Sequence, residues 1–353
     1  MQMSGSVWAG QNITPSQVEV ALRDLLKERH ARSDAYVPAR VLNLVVICDR
    51  DWRGEIQNRL DQVGRYHASR TILCSVEEGR ETIDAWATME GERAHDPRAI
   101  SVLHEQVVLD MGPRHLKNLE TIVDPLVVTD LQTLVWSPHG HPEAVDSLLG
   151  LAQAVLIDSI NEPDPGAAIA RACQLIQQAY VVDLAWLRST PWRERVASTF
   201  DPGQWRPELG RISSVTVKHR DDSLSAGLLF LGWLATRLGW QPASMLKQDG
   251  ALYGKASGRR GDVSLRLEPE EEMSAPGLAG VAIETASGVS IELDRGSGGL
   301  TAKRRTANGG DSSWTVMGAS RGEAGILGEG IRQALLRDKV YAPALAAAGQ
   351  LLA

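Results

Sequence analysis

One segment, Val41-Leu-Asn-Leu-Val-Val-Ile-Cys48, constrains the fold more than any other in this chain. It is apolar at every position except Asn43, so both of its faces must be covered. A strand buried on both faces belongs to a parallel sheet flanked by helices, since a strand with one wet face alternates polar with apolar residues. The residues around it keep the same alternation of elements. Thr14-Pro15 opens a helix with Val18, Leu22, Leu25 and Leu26 on one face. Trp52, Ile56, Leu60 and Val63 recur at helical spacing, Ser69–Val76 is the next strand, and Val102–Leu109 the one after. Leu116, Leu119, Ile122 and Val123 mark a helix, Leu131–Trp136 a strand, Glu143–Leu149 a short helix and Ala154–Asp158 a strand. Strands alternating with helices imply an α/β fold with a mostly parallel sheet and right-handed crossovers.

Asn161-Glu-Pro-Asp-Pro-Gly166 breaks both periods and divides the chain. Residues 1–162 are expected to form an N-terminal α/β domain and residues 163–353 a C-terminal α+β domain. The second part starts with a helix to about Ala179, and Val181–Trp186 is extended or helical. Thr190-Pro191 supplies an N-cap and a first-turn proline for a helix to Phe200. Ile212–His219 is a strand and Ser223–Trp240 a long apolar helix. From Ser244 to Ser320, short alternating runs between glycine-rich turns predict an antiparallel meander. A last helix, about Ile326–Leu336 with an alanine-rich continuation, closes the chain.

Charge and composition exclude several classes. The formal balance is 37 − 44 = −7, without the basic face of a nucleic-acid binder. Lys303-Arg304-Arg305 is expected at a solvated hairpin tip. The first residues lack the basic start and apolar run of a signal peptide. Leu224–Trp240 is short for a membrane span and contains Arg237, so no membrane partner is expected and the location is cytoplasmic. Cys48, Cys74 and Cys173 are odd in number, with no CxxC pair, and are expected to be core thiols.

The first strand-to-helix turn is Cys48-Asp-Arg-Asp-Trp-Arg-Gly54. It has no early glycine to admit a pyrophosphate, and the chain has no GxxxxGK[ST], so no cofactor is expected. His139-Gly-His141, flanked by Pro138 and Pro142, is expected to be a turn rather than a metal site. Asp49 and Asp51 are expected to cap the following helix. In Gly64-Arg-Tyr-His-Ala-Ser-Arg-Thr71, Arg65, His67 and Arg70 form either an anion pocket or an outward-facing loop. Asp183-Leu-Ala-Trp-Leu-Arg-Ser-Thr-Pro-Trp-Arg-Glu194 gathers Trp186, Trp192, Arg188 and Arg193. Trp and Arg dominate binding hot spots, but a buried structural corner explains the same string.

At these strings the sequence resembles the OpcA family, the glucose-6-phosphate dehydrogenase assembly proteins. The resemblance rests on Ala39-Arg-Val-Leu-Asn-Leu44, Tyr66-His-Ala-Ser-Arg-Thr-Ile-Leu73, Leu131–Trp136, Asp183–Arg193 with Phe200-Asp201, and Gly232-Trp-Leu-Ala-Thr-Arg-Leu-Gly-Trp240. It implies a protein that is not itself an enzyme, with glucose-6-phosphate dehydrogenase as its partner. Such a protein is an allosteric activator that promotes the dehydrogenase's active oligomer in the NADPH-supplying pentose phosphate pathway. Arg70, Trp186, Arg188, Trp192 and Arg193 are then candidate partner contacts, and changing Trp192 and Arg193 to alanine should abolish activation without unfolding the chain. The alternative is a sugar-phosphate sensor or enzyme at the C-terminal edge of the parallel sheet, with Arg70 and the Asp49/Asp51 pair as its site.

Overall fold

The computed structural model describes residues 6–32, 36–37, 40–64, 69–92, 101–296, 299–317 and 322–353. The chain divides into two compact units. The first comprises Met1–Ile157, Gln178–Val182 and Glu323–Leu335, and the second Asp158–Gln177, Asp183–Gly322 and Leu336–Ala353.

In the first unit the elements are β1 (Ser6–Gly10), α1 (Pro15–Arg32), β2 (Tyr36–Val37), β3 (Leu42–Asp49), α2 (Arg53–Gly64), β4 (Ser69–Val76), β5 (Asp84–Glu92) and β6 (Ser101–Met111). They continue with α3 (Leu119–Val123), β7 (Gln132–Trp136), α4 (Pro142–Leu148), β8 (Ala154–Ile157) and β9 (Tyr180–Asp183). Among the described residues these strands make one sheet in the order β1-β5-β6-β4-β3-β7-β8-β9, with β2 beside β6. The pairs β3–β4, β4–β6, β3–β7 and β7–β8 are parallel, as the apolar run of β3 requires. Seven of β3's eight residues are buried. The one polar residue among those seven, Asn43, is satisfied inside the sheet: its amide donates to the Val128 carbonyl at 3.0 Å and its carbonyl accepts the Val128 N–H at 2.9 Å. β5 and β1 form an antiparallel margin for which the local sequence pattern carries no strand signal. The stretch carrying Leu116, Leu119, Ile122 and Val123 buries all four but breaks into 3-10 turns around a five-residue α3.

The second unit is built from α5 (Pro165–Leu175), α6 (Leu184–Arg188), α7 (Thr190–Phe200), β10 (Ile212–Arg220), α8 (Leu224–Leu238) and the strands β11 (Gln241–Pro242), β12 (Leu246–Gln248), β13 (Ala251–Gly258), β14 (Gly261–Glu270), β15 (Leu278–Thr285), β16 (Ser290–Gly296), β17 (Gly299–Arg305) and β18 (Asp311–Met317). The antiparallel meander is present, with one insertion. The sheet runs β11-β13-β14-β10-β15-β16-β17-β18, so β10 lies between β14, to which it is parallel, and β15. Lys303-Arg304-Arg305 ends β17 rather than forming a tip, and Arg304 lies 4.3 Å from the Trp205 ring centroid. The closing helix is two helices, α9 (Gly322–Leu336), of which Glu323–Leu335 belong to the first unit, and α10 (Tyr341–Leu352) in the second, interrupted where Arg337 takes a positive φ of 56°. α10 lies directly on α8. A Cβ at Gly232 would stand 2.2 Å from the Ala344 carbonyl oxygen, so only glycine allows that approach.

Candidate functional site

Val181–Trp186 proves to be both extended and helical: β9 ends at Asp183 and α6 starts at Leu184. Asp183 is the last residue of β9 and the N-cap of α6. Its Oδ1 accepts the Ala185 N–H at 2.9 Å and the Ser159 N–H at 3.2 Å, and its Oδ2 accepts the Tyr341 hydroxyl at 3.1 Å. α6 then turns into α7 one residue earlier than expected. Ser189, not Thr190, is the flanking residue, and its hydroxyl donates back to the Trp186 carbonyl at 2.8 Å.

The four Trp/Arg candidates of this segment are turned inward. Trp186 and Trp192 are each 2% exposed. The Trp186 indole N–H donates to Asp338 Oδ2 at 2.9 Å, and its ring meets Tyr341 at 5.6 Å between centroids. Arg193 is buried with its guanidinium 3.3 Å from the Trp186 ring centroid, donating to the Trp186 carbonyl at 3.1 Å and the Thr190 hydroxyl at 2.9 Å. Burial pushes that guanidinium down to about 9. Arg188 forms a two-pronged ion pair with Asp158, at 2.8 and 2.7 Å. In the free chain, then, the segment is a buried polar corner that ties α6 and α7 to the start of α10.

Asp183 gives this corner a pH signature. Burial, reinforced by the Asp158 carboxylate, pushes its carboxyl up to about 6 against the opposing N–H donors. The folded state therefore holds this proton more tightly than the unfolded chain does. The stability so gained is present below about pH 4 and is lost as pH rises through about 6. Asp183→Asn cannot titrate, and the wild type is expected to lose roughly 3 kcal/mol relative to it between those limits. Urea melts of both proteins at pH 4, 5, 6 and 7 check this; parallel curves would contradict it.

Arg70 lies in the first unit, near the start of β4. It donates to Glu105 Oε2 at 2.8 Å and to the Leu126 carbonyl at 2.9 Å, and Arg40 holds the other Glu105 oxygen. Arg65 and His67 lie outside the described residues. Arg70 pairs in register with Asn43 of β3, whereas Asp49 pairs with Val76. Six residues of strand, roughly 20 Å, separate the two levels. Arg70 and the Asp49/Asp51 pair therefore sit at opposite ends of the sheet and cannot share one sugar-phosphate site.

The C-terminal edge, where an open α/β sheet holds its ligand, is occupied by the chain's own side chains. Asp49 does not cap the next helix; its Oδ1 pairs with His141 Nε2 at 2.9 Å. Trp52 stacks on His139 at 5.0 Å between centroids and 27° between planes. Arg50 and Arg53 reach Asp110 at 2.8 and 3.0 Å, and Arg80 bridges Glu77 and Asp84 at 2.6 and 2.7 Å. This turn, with no glycine before Gly54 and its arginines already committed to carboxylates, does not fit a dinucleotide's pyrophosphate. Among the described residues no group of three or more His, Cys, Asp or Glu could hold a metal ion. All three thiols are free, and burial pushes Cys48 up to about 12 and raises Cys74 as well, which keeps thiolate scarce. No helix among the described residues is long and apolar enough to cross a membrane.

Two family models match this chain. Residues 60–174 match the glucose-6-phosphate dehydrogenase subunit N-terminal domain of the OpcA family, and residues 179–345 match the corresponding C-terminal domain. The chain belongs to the OpcA family. The resemblance drawn from the Trp-rich strings is thereby borne out. An OpcA protein of the OxPP cycle from Synechococcus elongatus is 27% identical over 209 residues, 58% of this chain and 46% of that protein. One from Synechocystis is 30% identical over 139 residues, 38% of this chain and 29% of that protein. The matched part thus spans less than half the length of these OpcA relatives. Among solved structures, a Parabacteroides merdae protein described as an oxidoreductase has a TM-score of 0.52 at 8% identity, covering 89% of this chain and 96% of that one. That likeness concerns the OpcA chain's doubly wound fold alone.

Proposed function

We propose that this OpcA-family chain is a non-catalytic assembly partner of glucose-6-phosphate dehydrogenase that favours the dehydrogenase's active oligomer. The observation carrying this reading is the match of both halves, residues 60–174 and 179–345, to domains described as those of a glucose-6-phosphate dehydrogenase subunit. The sheet edge supports the non-catalytic part, because Arg50 and Arg53 are spent on Asp110 and Asp49 pairs with His141. The mechanism is linkage. A protein that binds the active oligomer more tightly than the inactive form raises the active population by that difference in affinity. In this reading Arg70, within the first unit, and Trp186, Arg188, Trp192 and Arg193, within the second, are structural residues of their own units rather than the direct partner contacts expected from the sequence.

Light scattering on a mixture of this chain with the same organism's dehydrogenase tests the reading. A joint particle heavier than either protein alone, with raised dehydrogenase activity, is the expected result. Two separate particles with unchanged activity would overturn it.

A further inference from the structure

We infer that the Trp52–His139 stack at the C-terminal end of β3 is a docking platform for an arginine- or lysine-bearing segment of the partner protein. This rests on the assembly reading above and says where the partner engages. Trp52 is 48% exposed although one of its faces is stacked on His139, so much of the indole is open to water. A large aromatic side chain left half exposed on a rigid element is the kind of residue that dominates interfaces. Its position is set beforehand by the 3-10 turn Arg50–Trp52 and by the His139 ring beneath it, so little conformational freedom remains to be lost on binding.

The charges around the platform select the partner's chemistry. Asp51 and Glu55 are exposed, Asp49 keeps about half of its side chain in water, and Glu143 lies 4.0 Å from His141. The cations nearby are already engaged: Arg59 pairs with Glu55, while Arg50 and Arg53 are drawn to Asp110. What remains open is an aromatic face with a surplus of carboxylates. A guanidinium laid on that face gains the cation–π contact and the carboxylates together. The chain uses the same pairing inside itself, with Arg53 4.8 Å from the Trp86 centroid and Arg193 3.3 Å from that of Trp186. His139 suits the supporting role, because burial lowers its pKa and favours the uncharged ring.

Two probes test this. The Trp52 indole N–H resonance is assigned by its loss in Trp52→Ala, and the wild-type chain is titrated with a hexa-arginine peptide. Selective movement of that resonance is expected. In parallel, binding to the dehydrogenase is measured for wild type, Trp52→Ala and Asp51→Lys. Trp52→Ala is expected to weaken the complex by roughly 30-fold or more and Asp51→Lys by about 10-fold, with unchanged melting temperatures. Both variants binding within about threefold of wild type would overturn the platform. A Trp52 resonance indifferent to the peptide would overturn it as well. If wild type forms no complex but the peptide still moves Trp52, the dehydrogenase reading falls and the platform stands.

Discussion

Trp192→Ala is expected to destabilise the fold by about 3–5 kcal/mol, enough to lower the melting temperature by roughly 10 °C. The ring is 2% exposed and belongs to α7, immediately before Arg193, which closes the corner over Trp186. Removing it leaves a void that the surrounding elements can only partly fill. Combining it with Arg193→Ala removes the guanidinium's bonds to the Trp186 carbonyl and the Ser189 and Thr190 hydroxyls at the same time. That double variant, expected from the sequence to lose activation while staying folded, is expected from the structure to unfold first. Thermal melts followed by circular dichroism check both variants. A loss under about 1 kcal/mol would show that the ring is not part of the core.

Glu105→Ala is the second large effect, at about 3–5 kcal/mol. Glu105 is buried on β6 and holds Arg40 and Arg70 on its two oxygens. Deleting the carboxylate takes the counter-charge from two half-buried guanidinium groups, which costs far more than a surface ion pair gains. Glu105→Gln keeps the shape and one acceptor oxygen, so a smaller loss is expected. Denaturant melts of the pair separate charge from volume. Equal losses for the two variants would show that charge is what matters, and a negligible loss for alanine would remove the structural role assigned to Arg70.

The sequence was most informative where a segment's own residues decide the outcome. β4 spans Ser69–Val76 as its sequence predicts, and β3 is shifted by one residue from the run Val41–Cys48, because strands buried on both faces announce themselves by continuous apolarity. β5 was invisible because its core face is Ala85, Ala87 and Met89, which are weak strand formers. The insertion of β10 beside β14 was also hidden, since alternation tells which face is buried but not which strand is the neighbour. For the site, the Trp/Arg string was conspicuous, but composition could not choose between interface and core. The deciding partners come from far along the chain: Asp338 meets Trp186 across 152 residues, and Tyr341 meets Asp183 across 158. Trp52 was noted only as a helix-face residue. Its exposure depends on where β7 delivers His139, which no local pattern encodes.

The most direct test of the central claim is to titrate this chain into a fixed amount of the same organism's glucose-6-phosphate dehydrogenase, recording specific activity and sedimentation at every step. Activity that rises and saturates at a fixed ratio, with the larger oligomer growing in step, is the predicted result. Activity and sedimentation that stay flat up to a large excess of this chain would contradict it.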